Sequence, residues 1–276
     1  MGILYICGTP IGNLEDASIR LLKTLRSVDL IACEDTRHTI KLLNRYKIRN
    51  KLVSYHQHSR QEKEEFLIKQ LLAGKNIALV SDAGMPGISD PGELLIKRAI
   101  NEGIDIQIIP GPTALIAALT ISGFDSTSFI FAGFLPTNSG KRKQNLQQYL
   151  NERRTVIIYE APHRLNATLA DIESVLGTER NLAVVRELTK KFEQVKRGRV
   201  SEIKEYFTFT PPKGEFCLLI EGTTINAKPP DIETISEEVK ELIKRGVNKK
   251  EALKIKAREY QIKKNTLYKY FVENND

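Results

Sequence analysis

The chain is poor in cysteine and lacks long apolar runs and any targeting signal. Its 276 residues include three cysteines, Cys7, Cys33 and Cys217. They are odd in number, widely spaced and each set in an apolar run. That pattern excludes a disulfide framework and a structural zinc site, and reads as free buried thiols in a reducing compartment. No apolar stretch approaches the length of a bilayer span. The start, MGILYICGTP, has no basic n-region and too short an apolar segment for a secretory signal. Ile6 stands where a myristoylation signal needs Ser or Thr. These absences point to a cytoplasmic protein. There is no internal repeat and no low-complexity tract, and 41% hydrophobic against 28% charged residues marks a globular chain.

What is present is unevenly placed. The net charge is +8, and residues 242–272 hold ten Lys or Arg against Glu251 and Glu259 alone. The rest of the chain is therefore neutral overall, and the positive field belongs to the C-terminal end. A polyanion partner accounts for this; a solvated, lysine-rich helix pair serving solubility is the alternative.

Strand-like and helix-like runs alternate through the first half: ILYIC, DLIAC, NIALVS and IDIQIIPG against ASIRLLKTLRSV, EEFLIKQLLAGK, GELLIKRAINEG and PTALIAALTISG. Such alternation predicts a mostly parallel sheet. Past Gly123 come SFIFAGFLP, a basic loop TNSGKRKQ, strand TVIIYE, helix PHRLNATLADIESVLG, strands NLAVVRE and EQVKRGRV, a short helix near 201–207, and strand GEFCLLIEG. A second α/β layer with a mixed sheet is expected. TTINAKPPD reads as a linker. Beyond it, Ile235, Val239, Leu242 and Ile243, then Leu253, Ala257 and Tyr260, then Leu267, Tyr270 and Phe271 mark three short helices resembling a helix-turn-helix module. The expected domains are 1–117, 118–224 and 232–276.

Glycine, proline and polar residues crowd four strand ends: GTPIGNLED, EDTRHT, SDAGMPGISDPG and PGPTA. Ligands of open parallel sheets bind beyond such carboxyl ends. A dinucleotide fingerprint fails because Pro10 takes the place of its second glycine. A P-loop fails because Leu135 replaces its first glycine and Arg142 its Ser/Thr.

The ordered series TPIGNL, EDTRHT, SDAGMPGISDPG, PGPTALIAAL, GFLP, YEAPHR, RELTK and KGEFCLLIEG spans nearly the whole chain. It resembles the tetrapyrrole-methylase-type (class III) S-adenosylmethionine methyltransferases, and within them the branch acting on small-subunit ribosomal RNA. Gly8, where Ala is commoner, and Phe192 are departures outside the signature residues. The resemblance implies two α/β domains with S-adenosylmethionine (AdoMet) in the cleft between them, plus the C-terminal helical domain. It implies a homodimer and, as acceptor, the ribose 2′-hydroxyl of a cytidine in the decoding region of 16S rRNA, free or in the small ribosomal subunit. It places the cofactor against Pro10, Asp82, Gly84, Met85, Thr113, Ala114, Ala161 and Gly214. Thr113 reads equally as a helix cap, and Asp90, ahead of Pro91-Gly92-Glu93, as the N-cap of the next helix.

A methyl sulfonium is already activated, so in-line positioning matters more than acid catalysis, whereas the weakly acidic hydroxyl gains from a base. Glu34, Asp35 and Arg37 are the leading catalytic candidates, joined by Glu187. Arg37 also suits a phosphate, although an internal Asp–Arg pair shaping the loop fits as well. Arg37, His56, Lys141, Arg142, His163, Arg164, Arg186 and Lys190 form the expected substrate-binding set, with Glu160 facing the same cleft. His56 and His58 have no cysteine near them in sequence and read as loop polarity or RNA contact, so no metal is expected. Two rivals are a corrinoid-precursor methyltransferase, which leaves the basic module without a purpose, and a helix-turn-helix regulator with a ligand-sensing α/β part.

Overall fold

Leu30–Cys33 and Ile77–Val80 are apolar at every position, a pattern stable only in a strand covered on both faces. The computed structural model, which describes residues 1–55, 60–223, 231–260 and 262–274, covers them in that way. β1 (Ile3–Cys7), α1 (Ile19–Ser27), β2 (Leu30–Cys33), α2 (Thr36–Arg45), β3 (Leu52–Ser54), α3 (Arg60–Leu72), β4 (Ile77–Val80), α4 (Glu93–Asn101) and β5 (Asp105–Ile109) build a parallel sheet of order β3-β2-β4-β1-β5. Alternation along each strand sends Leu4, Ile6, Ala32 and Leu79 to one face, against Leu67 and Leu71 of α3 and Leu95 of α4. Cys7, Ile31, Cys33 and Val80 go to the other, against Leu21 and Leu25 of α1 and Leu42 and Leu43 of α2. The three thiols are free and buried, and burial pushes those of Cys7 and Cys217 up to about 12.

The next elements are α5 (Ala114–Ser122), β6 (Phe129–Phe134), α6 (Ser139–Gln147), β7 (Thr155–Glu160), α7 (Leu165–Leu176), β8 (Asn181–Arg186), β9 (Gln194–Arg199), α8 (Val200–Phe209) and β10 (Phe216–Ile220). They form a mixed sheet of order β6-β7-β10-β8-β9, parallel only at β6/β7. α6, α7 and α8 bury Leu146, Leu169, Ile172, Ile203 and Phe207 on one face. Leu115, Ala118 and Leu119 of α5 cover the other. An interdomain boundary at 117 would therefore divide a helix that packs as a whole on the second sheet.

Three local expectations differ from the structure. EDTRHT is a helix start, with the Asp35 carboxylate accepting a 2.8 Å bond from the Arg37 amide. TNSGKRKQ opens α6, capped by Asn138 accepting from Lys141 N at 3.1 Å. α4 begins at Glu93 with Gly92 in the cap position and no side-chain cap, so Asp90 is not its N-cap.

Both sheets belong to one compact unit, Met1–Gly222; Thr223–Asp276 forms a second. The second unit holds α9 (Ile232–Lys244), α10 (Lys249–Glu259) and α11 (Lys264–Glu273) around Ile235, Val239, Leu253, Ala257, Leu267 and Phe271. Asp231 caps α9 by accepting from Thr234 N at 2.9 Å, and Gly246 (φ 90°) ends the turn that follows α9. This is the three-helix module the apolar spacing predicts. Most of the expected linker lies outside the described residues. Among the described residues no helix is long and apolar enough to cross a membrane.

Candidate active site

The loops leaving β1, β4 and β5 meet at backbone distance. Thr9 N donates to Gly84 O at 2.9 Å and Gly84 N to Thr9 O at 3.1 Å, an antiparallel bridge that sets Gly84 (φ 81°) at the end of a buried strand. Gly8 and Gly111 approach so closely that a Cβ on Gly8 would lie 2.5 Å from Met85 Sδ and 2.7 Å from Gly111 N. Glycine at position 8, the departure from the commoner alanine, thus matches the space available.

These loops wall a cavity of about 310 Å³. On the first layer it is lined by Ile11, Gly84, Met85, Ile88, Ser89 and Asp90, with Thr113 and Ala114 at the start of α5. Across from them stand Phe134, Tyr159, Glu160, Ala161 and Pro162, and beside these Val185, Leu188, Glu215, Phe216 and Cys217. Tyr159 joins the layers: its hydroxyl accepts from Leu115 N at 3.0 Å, and Phe131 and Phe134 pack edge-on against its ring. Thr113 has no side-chain cap bond, so its place is on the cavity wall, with Oγ1 turned to Gly111 O at 3.4 Å.

Of the expected cofactor set, Gly84, Met85, Thr113, Ala114 and Ala161 line this cavity, whereas Pro10, Asp82 and Gly214 do not. Pro10 is buried behind the β1 loop. Asp82 Oδ1 accepts from Asp35 N at 3.0 Å and so braces the end of β4 to that of β2. Gly214 (φ 86°) leaves room for Glu187, whose Oε1 would sit 2.2 Å from a Cβ there. Burial pushes the Glu187 carboxyl up, but bonds from Lys190 Nζ (3.1 Å) and Glu215 N (3.2 Å) outweigh it and hold the group below its ordinary value. Glu187 and Lys190 thus spend their charges on each other and on Glu215, at a loop kept by positive φ at Glu187 (51°) and Thr189 (62°).

The polar candidates separate further. Arg37, 85% exposed, bonds both oxygens of Asp35 and holds that carboxyl down at about 2. The internal pair is therefore real, and the remaining guanidinium surface stays open to solvent. Asp35, His38 and Asp82 bring one potential ligand atom each within 4.8 Å of one another, but Arg37 already holds Asp35, and they form part of this charge network. Burial and then Asp82 raise Glu34. Lys141 and His163 are exposed.

Arg142 is a correction. It is 4% exposed, and its guanidinium binds Asp171 at 2.6 Å and the Thr137 carbonyl at 3.1 Å, so none of its charge is left for a substrate. Arg164 is similarly spent on Leu135 O (2.6 Å) and Glu160 (3.1 Å). Arg186 is half-buried, with Nε unpartnered. His56 and His58 lie outside the described residues. Sequence reasoning missed the second-layer wall because Val185, Phe216 and Cys217 read as ordinary core strand residues, and it missed Asp90 by treating it as a cap.

Comparison with known proteins agrees with this geometry. The profile of the Tetrapyrrole (Corrin/Porphyrin) Methylases matches residues 3–204. A Synechocystis sp. protein named ribosomal RNA small subunit methyltransferase I is 48% identical over 274 residues, covering 99% of this chain and 98% of the relative. A Thermotoga maritima protein of the same name is 46% identical over 222 residues, 99% of its own length but 80% of this chain. A Thermus thermophilus uroporphyrin-III C-methyltransferase, solved in complex with S-adenosylhomocysteine, superposes with a TM-score of 0.57 at 15% identity, covering 79% of this chain and 97% of that one. On the profile match and the near-full-length identities, the chain belongs to the tetrapyrrole methylase family, in the group of the ribosomal RNA small subunit methyltransferases I.

Proposed function

We propose that the chain methylates small-subunit ribosomal RNA with AdoMet, and that the acceptor is the ribose 2′-hydroxyl of a cytidine in the decoding region of 16S rRNA. The observation that carries this reading is the cavity between the glycine-rich strand ends of one sheet and the apolar, carboxylate-bearing strand ends of the other. Relatives named as small-subunit rRNA methyltransferases at up to 48% identity support the substrate class.

The residues present fit AdoMet. Ile11, Met85, Phe134, Val185 and Phe216 give apolar plates for an adenine ring. The Gly84 backbone and the uncapped start of α5 give main-chain polar groups with no side chain in the way. Asp90, Glu160 and Glu215 give negative charge for a sulfonium. When bound, the cofactor supplies a methyl group activated by positive sulfur. The chain's own work is to exclude water, hold the hydroxyl in line and take its proton.

The basic C-terminal unit supports the RNA reading. The starts of α10 and α11 frame a depression of about 500 Å³ lined by Lys249, Lys250, Lys264, Asn248, Asn265 and Tyr268, with no acid among its lining residues. Two helix N-termini beside three lysines favour phosphate. The Thermotoga relative matches over a length equal to the first unit, which supports catalysis by that unit and added RNA affinity from the second. In this reading the protein is cytoplasmic and works as a homodimer. A corrinoid methyltransferase would leave the lysine-lined depression without a task, and a ligand-sensing regulator does not explain the identities to rRNA methyltransferases.

The test is truncation after Gly222. AdoMet affinity by titration calorimetry should stay within about threefold. Affinity for small-subunit rRNA should fall at least tenfold, with a shallower salt dependence, because fewer phosphates are neutralised. Unchanged rRNA affinity would remove the C-terminal unit from substrate binding, and a full-length chain that does not bind AdoMet would remove the methyltransferase reading itself.

A further inference from the structure

Three carboxylates line the cavity, and two are already engaged. Glu160 is fully buried; its Oε1 accepts from Ala161 N at 2.9 Å, its Oε2 from Thr168 at 2.5 Å, and Arg164 pairs with it. Glu215 is paired with Lys190 at 3.2 Å. Asp90 has no ion-pair partner among the described residues, is half-buried, and stands on the loop between β4 and α4, opposite Tyr159 and Phe134. That loop is held in an uncommon conformation, with Ser89 at φ 66° between Gly87 (83°) and Gly92 (147°). A non-glycine residue in this region is disfavoured and tends to persist where function requires it. The strain turns Asp90 away from the cap position of α4 and onto the cavity wall.

Resting on the rRNA methyltransferase reading, we propose that Asp90 is the general base, a catalytic residue that takes the proton of the acceptor ribose hydroxyl. As the hydroxyl oxygen forms its bond to the methyl carbon, the carbon–sulfur bond breaks and leaves its electron pair on sulfur. The sulfonium becomes a neutral thioether, and the O–H proton passes to an Asp90 carboxylate oxygen and then to water. The surroundings suit that task. Burial, and next the charges of Glu34 and Asp82 from the ends of β2 and β4, push Asp90 up to about 7, against a hydrogen bond from Ser81; Tyr159 faces it from β7. A base is most effective when its pKa lies near the working pH.

The test compares the wild type with Asp90→Asn and Asp90→Glu. AdoMet affinity of Asp90→Asn should stay within about threefold, while single-turnover methyl transfer to small-subunit rRNA falls on the order of 10²–10⁴-fold. The wild-type rate should rise with pH and level off above about pH 7, and Asp90→Asn should lose that rise. Asp90→Glu should recover part of the rate. A readout independent of turnover is thermal stability of the cofactor-free protein. A carboxyl whose folded pKa is raised binds its proton more tightly when folded, so wild-type stability falls as pH rises from about 4 to about 7. The Tm of Asp90→Asn should match wild type near pH 4 and exceed it at pH 8. An active wild type beside an Asp90→Asn variant within fivefold of it, or with an unchanged pH profile, overturns the role of Asp90 alone. A folded, AdoMet-binding wild type that labels no rRNA overturns the substrate reading, and the assignment of Asp90 as ribose base with it.

Discussion

Arg142→Met is expected to cost the fold about 3–5 kcal/mol, because it strands a buried carboxylate. Asp171 is 6% exposed and takes bonds from Arg142 Nε (2.7 Å) and from Ser139 Oγ (3.0 Å), with Lys143 at 3.6 Å. The guanidinium also ties the Pro136 and Thr137 carbonyls, so one side chain fixes the start of α6, the loop before it and α7 together. Removing only the cation leaves a negative charge in a site that offers little water. Removing both partners, as Arg142→Met with Asp171→Leu, should recover most of the loss, since a well-packed apolar pair often equals a buried ion pair. Urea unfolding of the three proteins measures this. A single-variant loss below about 1 kcal/mol together with weakened rRNA binding would return Arg142 to the substrate surface.

Ala161→Phe is expected to lower AdoMet affinity more than 100-fold, about 3 kcal/mol, while leaving Tm within a few degrees. Ala161 is half-buried at the exit of β7, followed by Pro162, and lines the cavity beside Tyr159 and Glu160. A benzyl group there occupies volume the cofactor needs yet displaces no atom of the two core clusters of the second sheet. Titration calorimetry with circular dichroism separates lost binding from lost structure. Retained affinity would place the cofactor elsewhere.

The strands were legible because fully covered parallel strands are apolar at every position, as Leu30–Cys33 and Ile77–Val80 are. The C-terminal helices were legible from the spacing of Ile235, Val239, Leu253 and Phe271, all of which are buried. α6 was not, because it buries only Arg142 and Leu146 and its stability comes from Asp171, 29 residues further on, which no local pattern announces. The same distance hid the structural role of Arg142, whose sequence neighbourhood looks like a basic loop. In the site, the glycine-rich half was legible because Gly84 and Gly111 serve backbone geometry that leaves a mark in composition. The opposite wall was not, since Val185, Phe216 and Cys217 carry the same residue types whether they face a core or a cavity. Asp90 shows the limit of a local rule. Asp before Pro-Gly-Glu satisfies the capping pattern, but a left-handed Ser89 and the packing of a second sheet decide where it sits.

The most direct measurement is methyl transfer from labelled AdoMet to small-subunit rRNA and assembled small subunits, followed by nuclease digestion and mass spectrometry of the nucleosides. A labelled cytidine carrying its methyl on the ribose 2′-oxygen, from a single position in the decoding region, is the expected result. Label on a base, label in a porphyrinoid offered in parallel, or no label with AdoMet bound would contradict it.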